Sequence, residues 1–153
     1  MKRAAAWWFA LWGLCCATRP APCGEEQFVA HPNRSIQFSQ IRPGNKLVFE
    51  YVCQTKGFSK TIAHRAGVRH AVAFEVDAES HAFYLQDQQL ARAKVVLSRQ
   101  CHCQLLAYDH LQGVIQGRVS APGQWEITLG LSAIDAQGKE RAKLNSTGTY
   151  RLP

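Results

Sequence analysis

The chain has 153 residues, 46% of them hydrophobic and 19% charged, enough apolar material for one domain with its own core and too little chain for two. That composition is neither the highly charged one of a disordered chain nor the Ala/Glu/Lys-rich one of a coiled coil. Lys and Arg outnumber Asp and Glu by 18 to 11, a formal charge of +7, which favours acidic partners without identifying one.

Met1-Lys2-Arg3 leads into an apolar run from Ala4 to Leu14, followed by small residues at Cys15-Cys16-Ala17. A basic start, a short apolar stretch and a small-residue exit make residues 1–17 a signal peptide. The run falls well short of the ~20 residues a membrane-spanning helix needs, so no transmembrane span is expected and the protein is read as exported, periplasmic or secreted. Pro20 and Pro22 each lack an N–H and restrict the preceding residue. Residues 18–26 therefore read as a spacer and 27–153 as the folded domain.

From Ser35 onward the pattern is period two. Ile36, Phe38 and Ile41 begin it, Arg42-Pro43-Gly44-Asn45 has turn chemistry, and Leu47, Phe49, Tyr51 and Cys53 share one face of a strand. Lys56-Gly57 turns the chain. Val68, His70, Val72, Phe74 and Val76 alternate up to Asp77-Ala78-Glu79-Ser80, and His81 to Leu85 follows as the second arm of a hairpin. Asp87 to Ser98 has helix-friendly residues, but Val95-Val96-Leu97 ends it in the manner of a strand. Ala93–Leu97 and Cys101–Tyr108 read as strands, and Gly113 and Gly117 predict a bend or bulge within Leu111–Val119. After the turn Ser120-Ala121-Pro122-Gly123, the residues Trp125, Ile127, Leu129, Leu131 and Ala133 give the clearest alternation in the chain. Asp135–Lys139 and Asn145–Gly148 read as further turns before a last strand, Thr149–Leu152. Short strands at this spacing, separated by Pro, Gly, Asn and Asp, predict an all-β fold: a single antiparallel β-sandwich of immunoglobulin-like type.

Removal of the leader leaves Cys23, Cys53, Cys101 and Cys103, an even number in an exported chain, and hence disulfide candidates. On one strand Cys101 and Cys103 would share a face ~6.5 Å apart at Cα, the upper limit for a bridge. Each is therefore expected to bond to a distant cysteine, with Cys53 the favoured core partner in a loop of about fifty residues that contributes ~4 kcal/mol. The alternative for Cys101-His102-Cys103 is a thiol-redox pair or a soft-metal site. His70 and His81 could extend it if their strands pair across Asp77–Ser80.

The segment from Lys56 to His70 is the most basic, and Lys56, Lys60, Arg65 and Arg69 are its candidate contacts to an anionic surface or glycan. It interleaves only Phe58 among its cations, so sequence-specific nucleic-acid binding is not expected. There is no Gly-x-Ser-x-Gly, no phosphate-cradling glycine loop and no dinucleotide fingerprint, and no cofactor is assigned. The sequence is thus read as a non-enzymatic binding or assembly-accessory protein of the envelope or secreted space, acting through contacts with another exported protein. A periplasmic copper or thiol-redox protein is the alternative.

Overall fold

The computed structural model describes residues 23–55, 67–100 and 106–153. Among these residues the elements are β1 (Glu25–Gln37), β2 (Gln40–Gln54), β3 (Arg69–Asp77), β4 (Ala82–Gln86), α1 (Gln88–Arg92), β5 (Val96–Gln100), β6 (His110–Ala121), β7 (Gln124–Ile134) and β8 (Glu140–Arg151). They form two antiparallel four-stranded sheets, ordered β1-β2-β3-β5 and β4-β6-β7-β8. This is the expected antiparallel β-sandwich. Each sheet consists of a three-strand meander completed by one strand from the β4-α1-β5 segment between the meanders. Constant immunoglobulin domains instead face a four-strand A-B-E-D sheet with a three-strand C-F-G sheet, so the architecture is shared while the strand order is this chain's own.

Alternation determines which residues form the core. Trp125, Ile127, Leu129, Leu131 and Ala133 of β7 are buried, as are Leu47, Phe49, Tyr51 and Cys53 of β2, because successive side chains leave opposite faces of a strand. Between the sheets lies an aromatic cluster in which Phe49 meets Trp125 and Tyr150 edge-on, at centroid distances of 5.3 Å for each, a favoured geometry for such rings. Two glycines make room for it. A Cβ on Gly117 would stand 2.5 Å from the Phe83 ring, and one on Gly148 would stand 2.1 Å from that of Phe28.

Several local expectations are corrected. The first hairpin turns at Phe38-Ser39, where both residues have positive φ (49° and 60°) and Gln37 faces Gln40, the two-residue turn whose twist matches that of paired strands. Pro43 and Gly44 lie within β2 at a register shift opposite Arg34, where a bulge absorbs the ladder bond that proline cannot donate. β3 and β4 do not form a hairpin. The edge of β3 pairs with β5, and β4 crosses to pair with β6, placing Phe83 between Phe74 and Trp125. Residues 88–92 make one short helix that buries Leu90, and the strand expected at Ala93–Leu97 begins at Val96. Gly113 and Gly117 introduce no bulge into β6, which pairs with β7 without a shift from His110 to Val119. Asn145–Gly148 lies inside β8 rather than at a turn. No helix of the described residues is long and apolar enough to cross a membrane.

Beyond its bulge, the first hairpin folds back onto β3. The Glu75 carboxylate, 8% exposed, accepts hydrogen bonds from the Ile36 N–H at 2.7 Å and the Ser35 hydroxyl at 3.1 Å, and Lys94 Nζ lies 2.8 Å away. Burial alone would raise its pKa. The bonds from Lys94, Ile36 and Ser35 outweigh that and hold it below the ordinary value of 4.5.

Candidate functional site

At the opposite end of β3, Cys23 and Cys53 form a disulfide with Cα atoms 5.6 Å apart. This corrects the expectation that Cys53 bonds to Cys101 or Cys103. Glu26 faces Cys53 in the β1–β2 register, which brings Cys23, at the head of β1, beside Cys53 without bending either chain. Residues 23–26, read as part of the spacer, are thereby tied into the sandwich.

Beside the disulfide a groove of about 550 Å³ opens between the end of one sheet and β8 of the other, and its lining includes Tyr51, His70, Arg99, Arg141, Lys143 and Glu26. Local pairing explains this assembly. His70 sits between Cys53 on β2 and Arg99 on β5, while Arg141 and Lys143 alternate along β8 with the half-buried Ala142 and Leu144. Three basic side chains thus face one carboxylate. Burial, followed by the charge on Arg99, pushes His70 below its ordinary pKa of 6.5, which leaves it neutral at pH 7. The Tyr51 hydroxyl donates to Glu26 Oε1 at 2.7 Å and lies 3.6 Å from Cys23 Sγ. Its pKa is pushed up to about 12, first by burial and then by Glu26.

The buried side-chain polar atoms without a hydrogen bond among the described residues are Arg99 Nε, Ser146 Oγ and Tyr150 Oη. Arg99 lines the groove. Ser146 Oγ nonetheless lies close enough to the Tyr51 hydroxyl to lower its pKa as a hydrogen-bond partner does, and Tyr150, raised chiefly by burial, also feels Tyr51 and Glu26. Buried groups of this kind are seldom left unpaired.

A larger cavity of about 790 Å³ lies between α1 and β6, but most of its polar groups already have partners. Asp109 meets His110 at 3.1 Å, His110 meets Gln112 at 3.0 Å, Tyr108 accepts from the Leu97 N–H at 3.2 Å and Asp87 accepts from the Gly113 N–H at 3.0 Å. The groove, by contrast, has donors to offer.

The candidates from sequence are distributed as follows. Arg69 opens β3 and lies 3.7 Å from Glu50, which also meets His31 at 3.2 Å. Lys56, Lys60 and Arg65 fall outside the described residues, as do Cys101, His102 and Cys103. The flanking residues Thr55 and Val68, joined by a backbone bond of 2.9 Å, line the groove. His70 and His81 do not meet. His70 is near the start of β3, and His81 lies beyond its end, where its carbonyl accepts from Val119. No group of three or more His, Cys, Asp or Glu among the described residues is placed to hold a metal ion. Arg99, Arg141 and Lys143 were not singled out by sequence reasoning; the basic alternation of Lys139, Arg141 and Lys143 was the available signal.

The chain matches no protein-family model, no curated protein and no solved structure.

Proposed function

We propose that this is an exported, non-enzymatic binding module that engages an acidic region of another envelope or secreted protein at the disulfide end of its sandwich. The observation that carries the reading is the groove in which Arg99, Arg141 and Lys143 outnumber Glu26. The Cys23–Cys53 bond supports export, because such bonds persist in oxidising compartments. Two measurements test the reading. The chain expressed with its own leader should be recovered outside the cytoplasm with its N-terminus after Ala17, and an uncleaved cytoplasmic product would count against export. The purified protein should bind a fluorescent Glu-rich peptide in preference to its Gln counterpart, with an affinity that weakens as salt rises. Equal affinity for the two peptides would sink the acidic-partner reading.

The copper or thiol-redox alternative retains Cys101, His102 and Cys103, while the separation of His70 from His81 removes the imidazole pair it could have drawn on. Thiol titration under denaturing conditions, with intact mass and metal content from the same sample, separates the two readings. Two reactive thiols or stoichiometric copper or zinc would favour the alternative; neither would favour the binding module.

A further inference from the structure

Resting on the proposed acidic partner, we infer that Arg99 is the specificity-determining residue of the groove, and that it takes the carboxylate of an Asp or Glu side chain from the partner between itself and Lys143. An arginine carries five N–H donors in a planar fork, and in this one the Nε is buried without a hydrogen bond to any described residue. That Nε is closed to solvent in the free protein while the residue lines the groove, so the guanidinium gains a partner by turning its fork toward a ligand that brings two acceptor oxygens in one plane. A carboxylate is that ligand.

Glu26 forms part of the same wall, but the three cations outnumber it, so the groove attracts an acidic side chain, and in a protein partner that side chain ends in a carboxylate. One Glu26 oxygen accepts from Tyr51, and Glu26 forms no ion pair with Arg99. His70, neutral at pH 7, contributes no competing charge. From the facing strand, Arg141 lies 3.8 Å from Asp135 and is partly engaged there. Lys143 forms no ion pair among the described residues, which leaves it the second cation for the incoming group. The groove volume, about 550 Å³, lies in the range that encloses a small ligand or a few residues of a peptide.

The test is fluorescence anisotropy of the oxidised full chain with a labelled Glu-rich peptide. Arg99→Gln should weaken binding by about tenfold or more, Arg99→Lys by nearly as much because charge without the fork does not restore a bidentate contact, and Lys143→Gln by about threefold. Thermal unfolding of each variant checks the fold. If the Arg99 variants do not fold, the exposed Lys143→Gln still decides, since unchanged affinity there overturns the assignment. Should the peptide bind with groove variants indistinguishable from wild type while Arg69→Gln weakens it, the acidic-partner reading stands and the groove assignment falls. If wild type binds no acidic peptide, both fall.

Discussion

At the Asp77 end of β3 a buried carboxylate receives hydrogen bonds from Ile36 and Ser35 and an ion pair from Lys94, whereas at the Arg69 end the Arg99 Nε is buried without a hydrogen bond to any described residue. The first arrangement closes the sandwich. The second leaves it open beside a disulfide. Buried polar groups that are fully paired act as structure, while one left unpaired beside a groove marks where a protein departs from the best local packing, and functional sites are where such departures are expected. The ends also differ in what holds them: a covalent bond between Cys23 and Cys53 at one, a carboxylate clamp at the other.

Reducing the disulfide, or replacing Cys23 and Cys53 together by Ser, should have the largest effect. The bond spans 30 residues, and on the chain-entropy account its removal costs about 3.5 kcal/mol, to be read from denaturant unfolding. Glu75→Ala should follow at about 2.5 kcal/mol, because it strands the Ile36 N–H and removes the partner of Lys94. Acid distinguishes the ends. The Glu75 pKa is depressed in the folded state, so its contribution is fully present above the ordinary value of 4.5 and is lost as pH falls through its lower folded value. Stability measured through that range should decline in wild type, and Glu75→Gln should lack this part of the decline, whereas acid leaves the disulfide in place. A Glu75→Gln variant with the wild-type acid profile would show that the clamp does not hold this end. The smallest effects belong to the hydroxyls. Tyr51→Phe should cost about 1 kcal/mol, through loss of the bond to Glu26, while Tyr150→Phe should be neutral or stabilising by up to about 1 kcal/mol because no bond is lost. A clear cost for Tyr150→Phe would mean that its hydroxyl has a partner in solution.

The two ends were unequally legible in the sequence. Strands whose apolar residues keep strict alternation, such as Trp125 to Ala133, declare their buried face directly. Pro43-Gly44 misled because its turn chemistry is used inside a strand, while the real turn falls on Phe38 and Ser39, which carry no turn signature. The hairpin expected across Asp77–Ser80 failed for a different reason: local pattern gives each strand but not its neighbour, and β5 takes the edge that β4 would have occupied. The groove follows the same logic. Arg99 and Lys143 are unremarkable cations on strands of different sheets, and only the packing of the two sheets brings them to one cleft. The sequence placed its basic candidates on the segment around Lys56 to Arg69, whose described ends, Thr55 and Val68, line that cleft.

The way the chain divides between its sheets bears on how it folds. The meanders β1-β2-β3 and β6-β7-β8 are each built from consecutive antiparallel strands, so each of their pairings joins strands that are neighbours in the chain and requires no strand from elsewhere. The segment from Ala82 to Gln100 gives β4 to one meander and β5 to the other, and can take up both positions only once the two layers face each other. It therefore acts as the staple of the assembly, with the short α1 as the link between the strand it gives to one layer and the strand it gives to the other.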